Sequence, residues 1–132
     1  MEKIIAKIKE YLAMDSEIEF KEFEDYYKTL IEKLNKDFKE LKEEELLQMR
    51  YVLNTVTINA ENRAARKDKY MKKFRKIADK TKFWAEAIAH KLKKELGYTD
   101  AAIEEADERI DGELRPNEET NENLDGETSP KE

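Results

Sequence analysis

Cysteine is absent from this 132-residue chain, histidine occurs once, and no glycine or proline appears before residue 97. Without cysteine there is no disulfide, no thiolate zinc site and no thiol nucleophile, which suits a reducing compartment. No apolar run approaches the roughly 18 residues of a membrane span. The opening MEKIIAKIKEYLAM is broken by Lys and Glu every few residues and lacks the apolar core of a signal peptide. We therefore expect a cytoplasmic protein with no membrane partner.

The lone histidine, His90, leaves no Ser-His-Asp arrangement except by accident. Glu86 precedes it by four residues, whereas a di-iron bundle wants paired Glu-x-x-His motifs and further glutamates. No glycine-rich loop is present to cradle a phosphate. The run Glu43-Glu44-Glu45 cannot set three carboxylates on one face and suits the acidic first turn of a helix. No catalytic residue, metal or cofactor is expected, and no stretch carries a motif specific enough to name a family.

The missing glycines and prolines bear on fold. A sheet protein needs turns, and turns are commonly built with these residues. About 96 residues without either point to helices joined by short polar links. The expectation is an all-α bundle of four main helices, over about 2–14, 17–35, 42–66 and 68–96. A short helix over about 100–111 completes a single domain of residues 1–111, followed by a disordered acidic tail over 112–132 that has too few apolar residues to offset its ordering entropy.

Ile4, Ile5, Ile8 and Leu12 share a face of the first helix, and Asp15-Ser16 ends it. Ser16 is placed to cap the second helix with Glu19 three residues on. There Phe20, Phe23, Tyr27, Leu30 and Leu34 form one stripe. The third helix is apolar on two sides, with Leu46, Met49, Leu53, Val56 and Ala60 on one and Leu47, Tyr51 and Ile58 on the other. Such a helix belongs in the middle of a bundle.

In the fourth helix Tyr70, Phe74, Ile77, Trp84, Ile88 and Leu92 fall within about 80°. That places Trp84 in the core, against Leu53, Val56 or an aromatic of the second helix. No hard breaker separates the third and fourth helices, but continuing the fourth helix's apolar face backwards reaches Arg63 and Lys67. Charges in the seam argue for a turn near Arg66–Asp68. Gly97 suits the position just past a helix end, and Thr99 suits the cap of the short helix.

Charge is unevenly spread. The net of −6 divides into −4 over residues 1–60, +8 over 61–96 and −10 over 97–132. On the fourth helix Lys69, Lys72, Lys73, Lys76, Lys80, Lys91 and Lys94 fall on one arc of about 100° beside the apolar stripe, with Phe83 projecting among them. Lysines in a row around an aromatic are the pattern of a surface that tracks phosphates and stacks a base. The plainer reading is a solvated face whose lysine stems cover apolar surface and whose charge the acidic second helix neutralises.

Two functions follow from this. The first is a small non-enzymatic binding or regulatory protein acting through helix surfaces on a partner, most naturally another protein. The alternative is a sequence-nonspecific nucleic-acid binder using this arc, with the acidic C-terminal end competing for Lys69, Lys72, Lys76, Lys80 and Lys94. Arg75 points away from the arc, so the planar fork that reads guanine is missing from it. The heptad-like spacing of the third and fourth helices leaves a homo-oligomer open.

Overall fold

The computed structural model describes residues 1–116. Their elements are α1 (Glu2–Leu12), α2 (Phe20–Asp37), a 3₁₀ turn (Phe38–Glu40), α3 (Glu43–Ala64), α4 (Met71–Leu96) and α5 (Asp100–Leu114). Among the described residues the fold is all-α, as the absence of glycine and proline before residue 97 implies.

α3 is the central helix. Its buried residues, Leu46, Leu47, Met49, Tyr51, Val52, Leu53, Val56, Thr57, Ala60 and Ala64, face several directions. Three acids open it where the helix dipole favours negative charge, and the Glu45 carboxylate accepts from the Lys42 amide at 2.9 Å. Ile58 departs from the sequence reading: it is 58% exposed. Leu47 and Tyr51, on the same side, are covered by α5, which packs over the N-terminal half of α3 and leaves Ile58 beyond its edge.

α3 and α4 form an antiparallel hairpin, the only way two packed helices can follow a connection this short. The chain turns where the charged seam indicated, and it does so without glycine: Lys67 itself takes the left-handed conformation, at φ 59°. Arg63, reached by running the α4 stripe backwards, is laid instead over the Phe74 ring at 4.6 Å and the Phe23 ring at 5.3 Å.

The buried line of α4 is Phe74, Ala78, Thr81, Ala85, Ile88 and Leu92, with Ile77 beside it. This four-three alternation is the seam of a coiled-coil pair. It lies on the alanine side of the arc of large residues, so Trp84 falls at the seam's edge and is only half-buried. Its ring meets Phe38 of the 3₁₀ turn edge-on at 5.4 Å, an aromatic just past the end of α2. The large-residue stripe misplaced Trp84 because alanine is what lets two helices approach closely.

α2 lies along α4 in the same direction. Phe20 stacks on Tyr70 at 4.3 Å and Phe23 meets Phe74 at 5.3 Å near one end, while Phe38 meets Trp84 near the other. α2 starts at Phe20 with Glu19 as its N-cap and no side-chain cap, so Ser16 does not cap it. Glu17 draws the preceding chain away by bridging to Arg66 at 2.7 Å. α1 is held to α2 by the buried Tyr26 hydroxyl, which donates to the Ile4 carbonyl at 2.8 Å.

Gly97 ends α4 in the left-handed region at φ 74°, and Thr99 caps α5 by accepting from the Ala102 amide at 3.1 Å. α5 continues beyond residue 111: Gly112 is helical and Leu114 is buried. The tail expected from residue 112 therefore begins no earlier than the end of this helix, because Leu114 anchors another turn. The remainder of that expected tail, residues 117–132, lies outside the described residues.

Candidate functional site

The basic stretch of α4 is built by the hairpin seam. Burying Phe74, Ile77, Ala78 and Thr81 forces Lys72, Lys73, Lys76 and Lys80 outward, and all four are exposed. Lys69 is exposed too, but it precedes the helix, with its ammonium 5.2 Å from the Tyr70 ring. Lys73 reaches over the Phe20 ring at 5.4 Å, its stem covering apolar surface while its head stays wet.

Over residues 69–82 there are seven cations and one carboxylate, Asp79. Among the described residues, no carboxylate lies within 4.0 Å of any of the seven. α2 does not neutralise them by direct pairing. Its own lysines take three of its five acids: Lys21 with Asp25 at 2.8 Å, Lys28 with Glu24 at 3.9 Å and Lys33 with Asp37 at 2.9 Å. These pairs stand one helical turn apart, so they form without bringing α2's carboxylates to α4.

The far end of the arc differs. Lys91 is half-buried, donates to Glu95 at 2.7 Å and sits 5.6 Å from the Phe38 ring. Lys93 pairs with Asp100 across the α4–α5 link, which holds that carboxyl below the usual aspartate range. Lys94 is exposed and unpaired among the described residues. The row is therefore open from Lys69 to Lys80 and partly occupied from Lys91 onward, a division that helical phase cannot show.

Phe83 lies between the two parts. It is 59% exposed, whereas Phe20, Phe23, Phe38 and Phe74 are all half-buried or buried. Its ring stands nearly perpendicular to Trp84, at 79° and 5.8 Å between centroids. Trp84 in turn rests on Phe38, so Phe83 is an open aromatic plate with a packed support.

Two concavities lie elsewhere. A groove of about 600 Å³ between α3 and α5 is lined by Ile58, Glu61, Glu104, Asp107 and Glu108 among others. Asp107 is engaged by Arg50 at 2.6 Å, and Asp111, on the same wall, accepts from the Tyr51 hydroxyl at 2.6 Å. A cleft of about 400 Å³ lies under the α1–α2 link, among Leu12, Ile18, Phe23 and Arg63. His90 and Glu86 are both exposed on the outer side of α4. Among the described residues no group of three or more His, Asp or Glu side chains could hold a metal ion, and no helix is long and apolar enough to cross a membrane.

Asp107 and Asp111 of α5 bond to α3, and Asp100 bonds to Lys93 near the end of α4. None of them reaches Lys69, Lys72, Lys76, Lys80 or Lys94, the lysines for which the acidic end was expected to compete. No protein-family model, no curated protein and no solved structure matches this chain.

Proposed function

We propose that this protein is a small non-enzymatic binding protein whose working surface is the outward lysine face of α4 and whose partner is an anionic macromolecule. The observation that carries the reading is the set of five exposed lysines on this face, Lys69, Lys72, Lys73, Lys76 and Lys80, that meet no carboxylate among the described residues. Like charges packed this closely along one helix repel one another. An approaching polyanion relieves that repulsion and releases its own counterions, which drives association.

The face supports charge recognition and not sequence reading. A lysine is a point charge on a flexible stem, without the planar fork that fixes a partner's orientation. An acidic protein surface and a nucleic-acid backbone both satisfy these charges.

The test is retention on immobilised heparin at low salt. Lys76→Glu with Lys80→Glu should abolish retention. Lys3→Glu with Lys9→Glu on α1 makes the same change in net charge and should leave most of it. Equal losses in the two variants mean that net charge alone is read, and an unretained parent chain removes the reading altogether.

A further inference from the structure

We infer that the anionic partner of α4 is a single strand of nucleic acid, with its phosphates along Lys72, Lys73, Lys76 and Lys80 and one base stacked on Phe83. This rests on the reading of α4 as an anion-binding face and adds the chemical class of its partner.

The first support is the geometry of the row. Lys72 and Lys73, then Lys76, then Lys80, then Phe83 succeed one another at three- and four-residue steps on one side of a continuous helix. At 1.5 Å per residue these are steps of about 5–6 Å, a spacing that an extended strand can follow phosphate by phosphate. By helical phase Lys73, Lys76 and Lys80 lie on one side of Phe83 and Asp79 and Glu86 on the other, with Lys72 between, so phosphates are directed to the lysine side and the neutral base to the ring.

The second support is the plate itself. An exposed phenylalanine forgoes the burial that the other four obtain. Its perpendicular contact with Trp84 fixes the ring while its face stays open. A lysine row alone fits any polyanion; an open aromatic face within the row suits a partner that offers flat rings. In a duplex those faces are already stacked on one another, whereas in a single strand they are free. Base–aromatic stacking tolerates any sequence because every base has a π-face, in keeping with a surface that has no base-reading fork.

The experiment titrates the full chain with fluorescently labelled oligothymidylate, following anisotropy and the fluorescence of Trp84, the only tryptophan. Binding should perturb Trp84 through Phe83. The logarithm of affinity should fall against the logarithm of salt with a slope near −3, at about −0.7 for each of four phosphates. Phe83→Ala should weaken binding about 5- to 150-fold, the loss of one stacked base, and Phe83→Tyr should retain it. An abasic strand of equal length should bind the parent chain as weakly as oligothymidylate binds Phe83→Ala, a comparison that needs no variant to fold.

If the abasic strand or inorganic polyphosphate binds as tightly as oligothymidylate, the stacked base is wrong while the anion-binding face stands. Tighter binding of duplex DNA or of polyglutamate assigns the face to another class of partner and overturns the inference. If no polyanion binds, the inference and the reading beneath it fall together.

Discussion

Thr57 and Thr81 meet hydroxyl to hydroxyl inside the α3–α4 hairpin, their Oγ1 atoms 2.6 Å apart. Each hydroxyl also faces a carbonyl of its own helix, Leu53 at 2.8 Å and Ile77 at 2.9 Å. Each hydroxyl carries one proton, so one donates to a carbonyl of its own helix while the other donates across the pair, and both groups stay satisfied. Counting outward along antiparallel helices from this point sets Ala60 opposite Ala78, Leu53 opposite Ala85, Ala64 opposite Phe74 and Leu46 opposite Leu92. All eight are buried.

This contact fixes the register of the pair and predicts a coupled response. Thr57→Val and Thr81→Val should each cost about 1 kcal/mol. The double variant should cost less than the sum, because the second substitution removes a hydroxyl that has already lost its partner. Urea unfolding of the four chains in a double-mutant cycle measures the coupling; strict additivity would show that the hydroxyls do not interact.

Trp84 is half-buried against Phe38, so Trp84→Ala should cost about 2–3 kcal/mol, below the roughly 3–5 of a fully enclosed ring. Its emission maximum should lie between those of buried and free indole. Phe38→Ala should shift the emission to the red, and an unchanged spectrum would place the indole elsewhere.

Three tyrosines make the fold sensitive to alkali. Burial raises the Tyr26 hydroxyl above its ordinary 10.0. Burial, then the bond to Glu22, raises Tyr11. Burial, then the bond to Asp111, pushes Tyr51 up to about 12. The unfolded chain releases these protons near pH 10 while the folded chain keeps them. Their contribution is therefore whole below that pH and declines as pH rises through 10 towards the folded values. Urea midpoints across about pH 8 to 11 should fall. Tyr26→Phe should lower stability by about 1 kcal/mol at neutral pH, by loss of its bond to the Ile4 carbonyl, and should make the alkaline decline shallower.

At the acid end the sign reverses. The Arg66 hydrogen bond holds Glu17 below its usual 4.5. That contribution is present above pH 4.5 and is lost as pH falls through the folded value. Arg66→Ala should lower stability slightly at pH 7, the pair being exposed, leave it unchanged at the lowest pH, and so flatten the acid limb of the stability curve.

Residues 117–132 carry six acids and one lysine. A chain ending at Pro116 keeps Leu114 and Arg115 with α5, which a cut after Asp111 would remove. It should bind heparin more tightly than the full chain at low salt, with the gain shrinking as salt rises. Equal affinities at low salt would make the acidic end a bystander.

Helical periodicity, the absence of early glycine and proline, and the caps at Gly97 and Thr99 are local properties, and they alone carried the fold class, the central place of α3 and the turn after it. The exposure of Phe83 and of Lys72 to Lys80 was also legible, because helical phase assigns a side once one stripe is known to be buried. What the sequence could not decide depends on which helix lies against which. The seam of α4 runs on alanines and Thr81, so Trp84 sits at its edge, because close helix approach rewards small side chains that a search for large apolar residues passes over. Ile58 is exposed because α5 covers only part of α3. Lys91 is occupied because the 3₁₀ turn brings Phe38 beneath it and Glu95 stands one turn on. The open lysines, too, were decided in three dimensions: α2 pairs Glu24, Asp25 and Asp37 with its own lysines, and α5 directs Asp107 and Asp111 to α3 and Asp100 to Lys93 at the far end of α4.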